Sequence, residues 1–278
     1  MLAIMAHAVS PQPATGVSVR DVHGPDELRA CQELQRRAWG ITEDGYVLPV
    51  AMMAGAQKVG GLVLGAFDAN SQALVGFAFA FLGKFNDRLI LYSQLTGVHP
   101  AYQRTGVGRM LKLEQRRRAR EMGLEAVVWA FDPLQASNAS FNLAVLGATC
   151  RTYESDMYGS RTDALNVGLP TDRLIAEWST SGEPGGTSTP WPDSVELIDT
   201  GLSARPERVR DIPPDATHLQ VEVPPRITDL KKAGPNLVDE WQQALRQTFQ
   251  NAFAAGFVAV GFSRTDPARP AYLLERRR

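Results

Sequence analysis

The stretch Val98 to Leu111 reads VHPAYQRTGVGRML, and its residue types are suited to chemistry. Pro100, Gln103, Arg104, Gly106 and Gly108 stand between an apolar run and a charged one. Gly106 and Gly108 lack the Cβ atoms that would keep another group away from the backbone. At a strand-to-helix junction, the amides of Gln103, Arg104, Thr105, Gly106, Val107 and Gly108 can point outward together. Amides so aimed at a helix N-terminus bind phosphate oxygens. Arg104 and Arg109 are placed to add positive charge. A bare Gly-x-Gly also occurs where backbones simply pack closely. The run lacks the Lys-Ser/Thr of a P-loop and the full spacing of a dinucleotide fingerprint.

Little else in the chain offers a different chemistry. The four histidines, His7, His23, His99 and His218, are scattered, and Cys31 and Cys150 have no metal-type spacing. No metal site is expected. Two free thiols suit a reducing cytoplasm. With 29 basic and 30 acidic residues the formal net charge is −1, so no global field recruits nucleic acid or an anionic membrane. No apolar stretch is long enough to span a bilayer. Residues 1–16 lack a basic n-region and a clear cleavage site, and they read as a ragged lead-in. The basic run EQRRRARE (Glu114 to Glu121) contains two i, i+4 acid–base pairs, Glu114–Arg118 and Arg117–Glu121. It reads as a solvated helix face.

Elements must position the turn. GVSVRDV (Gly16 to Val22) alternates like a strand. GPDELRACQELQRRAW follows as a helix, with Pro25, Asp26 and Glu27 at its start and Leu28, Cys31, Leu34 and Ala38 on one face. Pro49 to Gly60 makes a second, shorter helix. LVLGAFDA and ALVGFAFAFLG form a hairpin across Asn70-Ser71-Gln72. RLILYSQLTGV (Arg88 to Val98) is a strand leading into the glycine turn, and the helix after the turn ends at Gly123. LEAVVWAFD (Leu124 to Asp132) is a strand, NASFNLAVLG a short helix starting at Asn138, and ATCRTYES and DRLIAEW two more strands. Ser179 to Ser194 is rich in Gly, Ser, Thr and Pro and reads as a flexible linker or loop. Beyond it come a strand (THLQVEVP), a helix capped by Asn236 with a Leu237, Trp241, Leu245, Phe249, Phe253 stripe, and two closing strands. The expected division is 16–178, 179–194 and 195–278.

Val98-x-Pro100-x-x-Gln103-x-x-Gly106-x-Gly108 resembles the acyl-CoA-binding signature of the GNAT superfamily of N-acetyltransferases. The order of elements from Gly16 to Tyr158 is similar to that superfamily's as well. The resemblance implies an α/β fold of the mixed type: a splayed central mixed sheet flanked by helices, here with a C-terminal strand–helix–strand extension. It implies that the Gln103–Gly108 amides hold the pyrophosphate of acetyl-CoA or another acyl-CoA. It places the pantetheine between the Val98 strand and the VVWAFDP strand, with Asn138 bonding it and Phe141 and Asn142 lining its far side. A plain helix cap is the other use open to Asn138. FDPLQASNASFN, LGA, YG and LPTDR further resemble a longer subgroup, some of whose members acylate amino acids, including with succinyl-CoA.

Acyl transfer to an amine needs a neutral amine, a donor for the oxyanion and a proton for the departing thiolate. By resemblance the backbone N–H near Val98 is the oxyanion donor. The superfamily often places a Tyr four residues before its Gly; here Leu143 precedes Gly147 and cannot donate. Tyr153 and Tyr158 lie just beyond and are the candidate acids. The strand position that often carries a carboxylate is Gln94, so Asp132, His99, Glu43 and Asp44 remain as candidate bases. Glu43, Asp44 and Tyr46, in the loop between the first two helices, and Tyr92 and Trp129 are candidate substrate contacts.

Three readings follow. One is an N-acyltransferase acting on a small-molecule amine, an amino acid or a derivative. The second is a non-catalytic acyl-CoA-binding module, and the third a protein acetyltransferase whose C-terminal part docks its partner. That C-terminal part carries no chemical motif; by default it is a β-α-β-β subdomain that Phe249, Phe253, Phe257 and Phe262 anchor to a core, packing on the first domain, and it can extend the sheet, mimic half of an acyltransferase domain or form a homodimer contact.

Overall fold

The computed structural model describes residues 16–159, 170–200 and 205–277. The lead-in at 1–15 and Leu169 of the LPTDR string lie outside the described residues. The chain divides after Leu124 into two compact units, a boundary that falls inside the 16–178 segment.

The first unit holds β1 (Val17–Asp21), α1 (Gly24–Trp39), α2 (Val50–Lys58), β2 (Leu62–Asp68), β3 (Leu74–Phe85), β4 (Arg88–Val98) and α3 (Val107–Glu121). Its strands lie in chain order and pair antiparallel. The sheet is covered on both faces. A Cβ at Gly76 would meet Val107 and Leu111 of α3, whereas one at Gly97, on the opposite face, would meet Phe77 and the Trp39 ring of α1. The near-continuous apolar sequence of β2 and β3 follows from that double cover. Leu28, Cys31, Leu34, Met53, Val63, Phe77 and Phe79 are buried together on the α1 side. α1 starts as its sequence indicates: Glu27 accepts from the His23 amide at 2.8 Å and makes a two-point bridge with Arg20.

The second unit holds β5 (Ala126–Phe131), α4 (Ala136–Ala139), which runs on into a π-helical turn (Ser140–Val145), β6 (Thr149–Glu154), β7 (Arg173–Ser179), β8 (Val195–Glu196), β9 (Ile198–Asp199), β10 (Arg208–Val209), β11 (His218–Glu222), α5 (Ile227–Ala233), α6 (Pro235–Ala254), β12 (Phe257–Ser263) and β13 (Ala271–Arg276). The strand order is β5-β7-β6-β12-β13-β11-β8, with β9 and β10 paired apart. The β8–β11 pair is parallel and the others are antiparallel, so the sheet is mixed. The fold is therefore a mixed α/β arrangement of sheet flanked by helices, with C-terminal strands added beyond β6.

Several local expectations shift. The helix expected from Asn138 begins at Ala136, which places Asn138 inside it rather than at its cap. α6 begins at Pro235 with Gly234 at its cap, so Asn236 is already helical. Proline at a first helical position explains that earlier start, because its missing N–H is not needed there. The short strands β8 to β10 and helix α5 carry too little periodicity to be read from sequence.

The 179–194 stretch, read as a flexible linker or loop, is a loop held at its middle. Gly185 N–H bonds the Leu146 carbonyl at 3.1 Å and Gly186 N–H the Ala144 carbonyl at 3.0 Å. Thr187 bridges Gly261 of β12. A Cβ at Gly186 would sit 2.0 Å from the Leu143 carbonyl oxygen, so this glycine serves close approach.

The aromatic stripe of α6 lands on its own sheet. Phe249 stacks on Tyr153 of β6 at 5.9 Å and meets Tyr272 of β13 edge-on at 5.0 Å. The Tyr272 hydroxyl donates to the Pro133 carbonyl at 2.8 Å.

Candidate functional site

In the first unit, β4 ends at Val98 and a single 3₁₀ turn (Pro100–Tyr102) follows. The next residues take unusual backbone angles: Arg104 has φ +64° and Gly106 φ +95°. A non-glycine residue at positive φ is uncommon and often marks a functional turn. The turn is fixed from several sides. The Gln103 side-chain amide donates to the Val98 carbonyl at 3.3 Å, and Thr105 Oγ1 donates to the Tyr102 carbonyl at 2.6 Å. The Tyr102 hydroxyl donates to Asp68 at the end of β2, at 3.2 Å. His99 Nδ1 accepts from the Ala101 amide at 3.3 Å.

α3 begins immediately after Gly106. Its first-turn N–H groups have no carbonyl partner within the helix, as at any helix start. No side chain caps them and no acidic residue stands in the first turn. In α1, by contrast, Asp26 and Glu27 occupy the first turn. Gly108 has ordinary backbone angles, and a Cβ there would meet only Val98 Cγ2 at 3.7 Å. Protein packing therefore does not require glycine at 108, although glycine weakens a helix. The open space over Gly108, the positive end of the helix dipole and the exposed Arg104 and Arg109 side chains suit a phosphate group. The residues present fit the pyrophosphate of an acyl-CoA.

β4 is interrupted four residues before Val98. Phe79 pairs with Leu95 but Ala80 pairs with Ser93, which leaves Gln94 as the extra residue of a β-bulge. Gln94 is exposed and has no partner in β3.

Three of the candidate substrate residues of this unit, Glu43, Asp44 and Tyr46, share one turn. Asp44 and Tyr46 bound a 3₁₀ turn, and Asp44 accepts from Arg36 at 2.6 Å. Glu43, just before that turn, is exposed. Tyr92 is half-buried, with its ring 5.4 Å from Phe81.

In the second unit, Asn138 is exposed, Phe141 is half-buried, and Asn142 is buried within the π-helical turn. π-turns inside helices often mark functional sites. Leu143, four residues before Gly147, is fully buried. Trp129 is buried edge-on against Trp178 at 6.2 Å, which is a core position.

Tyr153 is buried too, and its hydroxyl donates to Asp172 at 2.7 Å. Burial, then that bond, push its phenol well above the ordinary range. Burial alone would raise the Asp172 carboxyl, but bonds from Arg246 and Tyr153 hold it below its usual value. Tyr158, by contrast, is 38% exposed, with the Arg173 guanidinium 5.2 Å from its ring centre. Asp132 accepts from the Leu134 amide at 2.8 Å, and burial raises its carboxyl. Among the described residues no group of His, Cys, Asp and Glu could hold a metal ion, and no helix is long and apolar enough to cross a membrane.

No family model and no curated protein matches the chain. Solved structures do. The structure of yncA from Salmonella typhimurium with its cofactor acetyl-CoA is 18% identical, covers 61% of this chain and 96% of its own, and has a TM-score of 0.45. The ribosomal-protein-S18-alanine N-acetyltransferase from Escherichia coli is 16% identical, covering 62% of this chain and 99% of its own, with a TM-score of 0.44. An N-acetyltransferase from Staphylococcus aureus Mu50 is 14% identical, covering 60% and 100%, with a TM-score of 0.45.

Proposed function

We propose that the protein is an acyl-CoA-dependent N-acyltransferase. It transfers an acetyl or succinyl group to the amine of a small molecule, an amino acid or a derivative. The observation that carries this reading is the turn at Gln103–Gly108. It combines an uncapped helix start, a glycine that packing does not demand, and two exposed arginines, in the spacing of an acyl-CoA signature.

On this reading 16–178 is the acyltransferase segment and 195–278 an extension joined to it through 179–194. Acyl-CoA brings the acyl group as a thioester. Gln103, Arg104, Thr105, Gly106, Val107, Gly108 and Arg109 bind its phosphate end, and the backbone N–H near Val98 is the donor for the oxyanion. Asn138, Phe141 and Asn142 keep the pantetheine-side roles that the resemblance implies. Of the candidate acids, exposed Tyr158 is favoured over Tyr153, whose hydroxyl is committed to Asp172. Its phenol would return a proton to the departing sulfur. Asp132, with its raised carboxyl, is the candidate base.

The test is thiol release from acetyl-CoA and succinyl-CoA against L- and D-amino acids, polyamines and a lysine peptide. Release with one amine class identifies donor and acceptor. Gly108→Ala is the companion variant. It should weaken CoA binding at least tenfold by calorimetry while the melting temperature holds or rises, since alanine suits a helix better. Unchanged binding would remove the cradle from the reading.

A second reading, a binding module without turnover, is favoured by buried Leu143 and by the commitment of Tyr153 to Asp172. It predicts CoA binding with no thiol release on any amine of the panel.

A further inference from the structure

A polar cluster lies buried behind the β4 bulge, inside the first unit. Lys112 is 5% exposed, Ser93 4% and Gln115 0%. Lys112 Nζ donates to Ser93 Oγ at 2.8 Å, and Ser93 Oγ donates to Gln115 Oε1 at 2.9 Å. Gln115 Nε2 is buried without a partner. Leaving such a group unpaired and burying an amine are both costly, so the cluster is not there for stability alone. Its place is specific. Gly108, Lys112, Gln115 and Ala119 follow one another at helical spacing along the stripe of α3 that faces β4. The stripe starts at the candidate cradle and reaches, one turn later, the residue just before the bulge.

The bulge changes which face of the sheet β4 presents. Leu95 packs on the α1 side. In a regular strand Ser93, two residues earlier, would share that face. The extra residue Gln94 turns Ser93 toward α3 instead, where Lys112 and Gln115 hold it. Without the hydroxyl, Lys112 and Gln115 would lose these bonds to β4 beside the bulge.

We propose that Lys112, Ser93 and Gln115 form a buried brace that fixes the register of the β4 bulge. The brace thereby positions the backbone from Gln94 to Val98 relative to the Gln103–Gly108 cradle. These are positioning residues. Their catalytic consequence rests on the acyltransferase reading, while the brace itself does not.

The test uses the full chain with two nearly isosteric substitutions, Ser93→Thr and Ser93→Val, plus Lys112→Met. Hydrogen exchange is read at the amides of Gln94 to Val98. Ser93→Thr should keep the wild-type rates, because it keeps the hydroxyl. Ser93→Val and Lys112→Met should speed exchange there at least tenfold while α1 and β2 stay protected. Uniform acceleration across the unit, or equal rates in the Thr and Val variants, would overturn the brace. In thiol release, Ser93→Val should lower kcat at least tenfold with KM for acyl-CoA within threefold, and Ser93→Thr should restore it. A local exchange change without thiol release from the wild type would leave the brace standing and remove the acyltransferase reading.

Discussion

Lys112 and Gln115 lie buried on α3 against Ser93, although the helix around them is strongly charged. The expected Glu114–Arg118 and Arg117–Glu121 pairs do form there, on the same helix as the buried stripe. Burial lowers the Lys112 ammonium to about 7, because the charged form loses its water. In the unfolded chain the same amine titrates near about 10.4. Between roughly pH 7 and 10 the unfolded chain thus keeps a proton that the folded chain has released. Stability contributed by this group must rise with pH through that window and stay level below it. The urea midpoint of the wild type is expected to climb from pH 7 to pH 9 relative to that of Lys112→Met. Parallel curves would mean that Lys112 stays charged in the fold. The turn residues were legible in sequence because glycine, proline and arginine in fixed order have few structural substitutes, whereas the Lys112–Ser93–Gln115 cluster was not, because Lys112 and Gln115 sit in a strongly charged helix that reads as solvated.

At the scale of elements, most strands and helices of the first unit were readable, since the unbroken apolar runs of β2 and β3 and the helical periodicity of α1 coincide there with burial. The second unit was harder, because its small strands β8, β9 and β10 have two residues each. In the 179–194 stretch Gly186, like Gly261 of β12, permits contact with a neighbouring backbone, a use that composition does not distinguish from looseness. Long-range polar contacts are equally invisible in sequence. Arg246 of α6 grips Asp172 with two bonds, at 2.8 and 3.0 Å, and the Asp172 side chain is 0% exposed. Removing one partner of a buried pair strands the other charge, at a cost of about 3 kcal/mol or more. Arg246→Met is expected to lower unfolding stability by about that amount in chemical denaturation. A loss below about 1 kcal/mol would show that Tyr153 and the Asp156 amide, which donates to Asp172 at 3.0 Å, suffice to hold the carboxylate.

For the whole molecule, the order of elements up to β7 was legible, but the use made of the tail was not. The tail continues the second unit's own sheet. β12 pairs with β6, Phe249 covers Tyr153, and Arg246 neutralises Asp172. A chain ended at Ser179 is therefore expected to lose near-UV circular dichroism and to aggregate on size exclusion, although it spans the segment that carries the acyltransferase resemblance. A soluble fragment with sharp thermal melting would show that the tail is dispensable. The Arg246–Asp172 bond also sets a clock on synthesis. Its partners stand 74 residues apart, and ribosomes add roughly 5–20 residues per second. For about 4 to 15 s each nascent chain carries Asp172 without its arginine, and β6 waits longer still for β12. Until β12 is made the emerging sheet offers an open edge to any other chain on the same message, which makes slow translation through 180–263 a risk and early chaperone capture an advantage.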